Sequence, residues 1–106
     1  MKNTLVALAI LLCTVFATKA QYVTIPDANF VNWLNAFGYS SCMVGNQMDT
    51  TCPAVMNTTQ VSCTNKSIAD ITGIQYFDAL RILYCSNNSI SSLPVFRNGL
   101  VHLACA

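Results

Sequence analysis

The sequence predicts an α/β fold: a solenoid of short parallel strands stacked by an internal repeat, closed at its start by an amphipathic capping helix. Three observations predict it. Sliding the chain against itself by 22 residues aligns Val61 with Leu83, Cys63 with Cys85, Asn65 with Asn87, Ser67 with Ser89, Ile68 with Ile90 and Ile71 with Leu93. Self-similarity at such a period marks stacked supersecondary units. A shift of 20 residues then places Leu80 on Leu100, Leu83 on Leu103 and Cys85 on Cys105, so a third unit opens near position 100. Ahead of the repeats, Phe30, Trp33, Leu34 and Phe37 fall at i, i+3, i+4 and i+7, which is one helical face.

Taken in chain order, "MKNTLVALAILLCTVFATKA" (1–20) carries a basic start at Lys2, an apolar stretch from Leu5 to Phe16 and small residues at Thr18 and Ala20. That is the layout of a secretory signal, with cleavage expected after Ala20 and Gln21 as the new N-terminus. The apolar run is too short for a membrane span, which needs roughly 20 residues, and nothing after it is long enough either. Leu12 before Cys13 disfavours lipid attachment. The expected location is outside the cell or on its surface.

Residues 21–57 read as an N-terminal cap. A helix is expected over about 26–37, with Pro26 and Asp27 in its first turn and Gly38 as its stop. Its aromatic face is read as cover for the open end of the repeat core. An asparagine-rich polar face argues against membrane docking. The following loop holds Cys42 and Cys52 around Gly45, and these two are the candidate disulfide. Metal binding is the alternative, but no C-x-x-C pair or nearby histidine supports it.

Residues 58–106 divide into units of about 58–79 and 80–99 and a partial unit at 100–106. In "LRILYCSNNSI" (80–90), Leu83 and Cys85 alternate with Ile82, Tyr84 and Ser86 before paired asparagines stop the pattern. The string fits L-x-x-L-x-L-x-x-N-x-L, with Cys85 in an apolar slot and Ile90 at its end. Here the chain resembles the leucine-rich repeat family, particularly secreted bacterial repeats with cysteine in the short strand, as in "LYCSNN" and "LACA". The opening "YVTIPDANFVNWL" is similar to the helical cap often found ahead of such repeats. The resemblance implies a leucine-rich repeat solenoid whose concave strand face carries the ligand. Two departures, Thr58 in the slot of Leu80 and Lys66 in that of Asn88, make the first unit degenerate.

In this reading Asn88 is structural: its amide turns inward at the corner and pairs with backbone groups that have no strand partner. Cys63, Cys85 and Cys105 fill one inward slot in successive units and are also structural. They are expected to be free thiols packing as small hydrophobes, although strands about 4.8 Å apart leave a disulfide within reach. The return segment 70–80 spaces Ile71, Ile74, Phe77 and Leu80 for a tight helical turn, whereas 92–100, with Pro94 and Gly99, should be extended.

After the expected cleavage, Lys66, Arg81 and Arg97 stand against Asp27, Asp49, Asp70 and Asp78, close to neutral. No basic patch exists to neutralise phosphates, so nucleic-acid binding is not expected. One histidine, four scattered aspartates, no glutamate and no G-x-S-x-G elbow give no catalytic constellation, metal cluster or cofactor motif. Function is therefore sought on the outward strand face, where Ile82, Tyr84 and His102 are the candidate ligand-binding residues. Tyr84 supplies large contact area at low entropy cost, or merely shields its neighbours. The expectation is a non-catalytic binding or adhesion module for a protein or glycan ligand. The rivals are an accessory arm of a larger secreted enzyme and a small disulfide-stapled inhibitor, which should show at most one thiol where the repeat reading expects about three. The absence of an asparagine corner after Cys105 suggests an N-terminal fragment of a longer chain.

Overall fold

The computed structural model describes residues 20–96 and 102–105. The expected signal, up to residue 19, and the alignment of Leu80 with Leu100 lie outside the described residues.

The first helix, α1 (Ala28–Ala36), begins where Asp27, in extended backbone, turns its carboxylate onto the free N–H groups of Asn29 and Phe30. Asp27 is thus the cap, one step outside the helix. Phe30, Trp33 and Leu34 are buried, while Phe37 ends the helix and is 52% exposed. Before α1 lies β1 (Tyr22–Thr24). After it, a 3-10 turn (Ser40–Cys42) leads into the hairpin β2 (Met43–Val44) and β3 (Gln47–Asp49). Gly45 opens the two-residue loop at φ +59°, a conformation glycine adopts without a Cβ penalty. β3 pairs antiparallel with both β1 and β2, giving the order β1-β3-β2. A disulfide between Cys42 and Cys52 then ties the hairpin to the short helix α2 (Pro53–Asn57).

The second sheet is parallel, in the order β4 (Gln60–Ser62), β5 (Ile82–Tyr84) and β6 (His102–Ala104). Its register sets Val61 beside Leu83 and Leu83 beside Leu103. Between β4 and β5 the chain returns through a 3-10 turn (Ile74–Tyr76), with Ile71, Ile74, Phe77 and Leu80 all buried. Residues 90–96 contain neither helix nor strand.

The expected leucine-rich repeat solenoid is overturned. Among the described residues the molecule is a small α/β fold of two three-stranded sheets, one antiparallel and one parallel, with two helices. Two physical facts separate it from a stack of coils. The residues ahead of the repeats build an antiparallel sheet of their own, whose Met48 lies in the same core cluster as Val61, Ile71 and Leu83. Along the parallel sheet the inward column does not stay dry: Val61 and Leu83 are 1% and 0% exposed, but Leu103 is 45% exposed. Burial therefore centres on α1, the hairpin and the first two parallel strands.

The expectation of three thiols in the inward slot is also corrected. Cys85 and Cys105 form a disulfide, with Cα atoms 4.5 Å apart, and only Cys63 is free among the described cysteines. Parallel pairing in register brings the two Cα atoms inside the range a bridge requires, even though both side chains leave the strands in the same direction.

Polar contacts join the halves. The second carboxylate oxygen of Asp27 accepts from the N–H of Ala69 and Asp70 at 2.8 and 3.0 Å. Asn29 donates its amide to the Ser67 carbonyl at 2.8 Å, and the Trp33 indole donates to the Ser62 carbonyl at 3.2 Å. Gly73, at φ +115°, lies so close to Ile25 that a Cβ there would fall 2.3 Å from its Cδ1.

Candidate functional site

Strand alternation sends the side chains of 60, 62, 82, 84, 102 and 104 to one face of the parallel sheet and those of 61, 83 and 103 to the other. The register forms two rows, Gln60–Ile82–His102 and Ser62–Tyr84–Ala104. Ser62 and Ala104 are small, so the Tyr84 ring has no bulky neighbour in its own row. It meets His102 diagonally, edge to face, with centroids 5.5 Å apart and planes at 62°. Ile82 and Tyr84 are half-buried and His102 is exposed. The three candidate residues thus form one contiguous surface, apolar at Ile82 and able to donate and accept hydrogen bonds at the phenol and imidazole.

That surface has a fixed backing. Asn88 Oδ1 accepts from the N–H of Lys66 and Ile68 at 2.9 and 3.0 Å. Its Nδ2 donates to the carbonyls of Cys63 and Cys85, both at 2.9 Å. One side chain therefore satisfies backbone groups of two successive corners. Asn65 and Asn87 take φ of 60° and 59° there, a left-handed conformation that asparagine tolerates better than most residues. The Cys85–Cys105 bridge holds β6 against β5 from the core side, and Ser86 Oγ donates to the Ala104 carbonyl at 3.0 Å.

Three groups titrate away from their ordinary values. Burial pushes the Cys63 thiol up to about 11, against weaker opposing effects of a backbone hydrogen bond and the Lys66 charge, so it is protonated at neutral pH. Partial desolvation acts to raise the Asp27 carboxyl, but hydrogen bonds from the N–H groups of Ala69, Phe30, Asp70 and Asn29 together hold it below the usual carboxylate range. The Asp49 carboxyl is lowered chiefly by the Thr51 hydroxyl, with smaller help from backbone N–H groups. None of the three is poised for proton transfer near neutrality.

The structure also shows concavities that the sequence reading missed. One, of about 490 Å³, opens beside β1 and is bordered by Tyr22, Thr50, Thr51, Met56, Tyr76 and Asp78. These residues are scattered over more than fifty positions and share no motif, so only the fold assembles them. A second, of about 220 Å³, lies under the C-terminal end of α1, where Phe37 stacks on Trp33 at 5.4 Å and Lys66 sits 4.9 Å from the Phe37 ring centre. Among the described residues no three His, Cys, Asp or Glu side chains gather as metal ligands, and no helix is long and apolar enough to cross a membrane.

No family model, curated protein or solved structure matches this chain.

Proposed function

We propose that the protein is an exported, non-catalytic binding module whose ligand surface is the outward face of the parallel sheet, centred on Tyr84. The observation that carries this reading is the Tyr84–His102 contact, with Ile82 beside it, on a face backed by the Asn88 network and a disulfide. A partly exposed aromatic flanked by small residues offers contact area without a large entropy cost on binding. Extended protein segments suit such a face better than charged ligands, because its two rows hold no lysine, arginine or carboxylate.

The reading is tested by panning a displayed peptide library against the full chain. Enriched peptides should lose roughly tenfold or more in affinity on Tyr84→Ala, as expected for a central aromatic anchor, and less on His102→Ala. Enriched peptides that bind Tyr84→Ala and His102→Ala as tightly as the original chain, or no enrichment, would overturn it. Export itself is tested by expressing the full chain in a secreting host and reading the N-terminal residue, which should be Gln21.

A second reading, a disulfide-stapled inhibitor, gains from one observation: two bridges and a single free thiol among the described cysteines. Titration against a panel of serine and cysteine proteases decides it. Stoichiometric loss of one protease's activity supports an inhibitor, and unchanged activity throughout leaves the binding module.

A further inference from the structure

We propose that the cleft beside β1 is a second ligand site, separate from the sheet face, and that it takes an uncharged saccharide. Its volume of about 490 Å³ falls within the roughly 300–1,000 Å³ typical of small-molecule sites. Its walls come from four parts of the chain: Gln21 and Tyr22 at the start of β1, the Thr50–Thr51 turn after β3, Met56 in α2, and Tyr76 and Asp78 after the buried Ile74. Long-range contacts hold these parts in place. Thr50 donates its N–H to the Gln21 carbonyl at 2.8 Å, and the Cys42–Cys52 bridge anchors the turn next to it.

The ligand class follows from the chemistry of the wall. Tyr22 and Met56 expose large apolar surfaces, 48% and 43% of each residue, and Tyr76 is half-buried. An aromatic ring with a polar tip matches the apolar C–H face and hydroxyl rim of a sugar ring. The Gln21 amide and the two phenols are neutral donors and acceptors, and the Thr50 and Thr51 hydroxyls, which donate to the Gln21 carbonyl and the Asp49 carboxylate, keep lone pairs to accept. Among the described residues no lysine, arginine or histidine side chain borders the cleft, so phosphates, nucleotides and acidic sugars would meet no side-chain cation there. Its one carboxylate, on Asp78, is solvent-exposed, so a cationic ligand would gain only a screened attraction there.

The experiment is an NMR titration of the full disulfide-bonded chain with neutral tetrasaccharides of glucose, xylose and N-acetylglucosamine. Tetramethylammonium and inorganic phosphate serve as charged probes. At least one tetrasaccharide should shift backbone amides at 21–23, 50–51 and 76–78 at millimolar concentration, with the amides of 82–84 and 102–104 unmoved. Tyr22→Ala, an exposed position, should weaken that binding by roughly tenfold while leaving thermal unfolding unchanged. Tyr76→Phe should weaken it less, since the ring remains. The proposal is overturned if no tetrasaccharide shifts these amides, if the shifts map to the parallel sheet, if only tetramethylammonium or phosphate binds, or if Tyr22→Ala binds as well as the original chain. Because the affected amides lie outside β4, β5 and β6, this outcome is independent of peptide binding at Tyr84.

Discussion

Two side chains, Asn88 and Asp27, each satisfy four or more backbone partners that no strand or helix could reach. Asn88 bridges successive corners of the parallel sheet, accepting from Lys66 and Ile68 and donating to Cys63 and Cys85. Asn88→Leu would leave partly buried N–H and C=O groups unpaired, so urea unfolding should show a loss of about 1–3 kcal/mol. Asp27 caps α1 with one oxygen and holds residues 69 and 70 with the other. Its carboxyl titrates lower in the folded chain than in the unfolded one, so folding favours the ionised form. That stabilisation is complete above the ordinary aspartate range and is lost as pH falls through the lowered folded value. Asp27→Asn should therefore flatten the acid limb of a plot of stability against pH, leaving a residual slope from Asp49, which is lowered in the same sense. An unchanged acid limb would show that the four N–H contacts contribute nothing. At this scale the sequence was informative where chemistry is local: an aspartate ahead of an apolar helical face is a helix-start signal. The contacts of Asp27 to Ala69 and Asp70 span more than forty positions and leave no trace in a linear pattern.

Among the elements, the parallel strands were the most legible. The offsets of 22 and 20 residues between like positions are the register offsets that bring Val61, Leu83 and Leu103 side by side. The antiparallel hairpin was missed because β2 and β3 have only two and three residues, too few for alternation to stand out. The signal present was turn chemistry, Gly45-Asn46 between "MV" and "QMD", a dipeptide suited to a two-residue hairpin. Gly73 carries no signal in the linear pattern. Its positive φ and its approach to Ile25 join the 3-10 turn to the segment ahead of α1. Gly73→Ala should cost more than about 1 kcal/mol through backbone strain alone, with further loss from the clash at Ile25. Thermal unfolding checks this, and a stability equal to the original chain would mean that the two segments are not in contact. The free cysteine gives another test at this scale. Cys63 is buried and protonated, so a thiol reagent should label it slowly in the folded chain from Gln21 onward and label one thiol per chain after denaturation. Rapid native labelling would contradict the burial of Cys63, and three thiols on unfolding would contradict the Cys85–Cys105 bridge.

For the whole molecule, the repeat pattern was a sound guide to spacing and a poor one to architecture. Self-similarity constrains how like segments lie against each other but is silent about a non-repeating segment that packs beside them. Here that segment supplies Ile25, Phe30, Trp33, Leu34 and Met48 to the same core as Val61, Ile68 and Leu83, and this shared burial makes one fold of two unlike sheets. It also creates the cleft beside β1, which neither half forms alone because its walls come from both. Reduction of Cys42–Cys52 should accordingly destabilise the whole chain, not the hairpin alone, by about 2–3 kcal/mol for a loop of this length. The Cys42→Ala/Cys52→Ala double variant in denaturant would show it as one displaced transition for both halves.

The coexistence of an antiparallel and a parallel sheet in one chain is tested most directly by nuclear Overhauser contacts across the strands. Antiparallel pairing places opposed Hα atoms close together, whereas parallel pairing does not. The structure predicts strong Hα–Hα cross-peaks between residues 22–24 and 47–49, and side-chain contacts between Leu83 and both Val61 and Leu103 without such Hα–Hα peaks. Absence of the first set, or strong Hα–Hα peaks between 60–62 and 82–84, would contradict it.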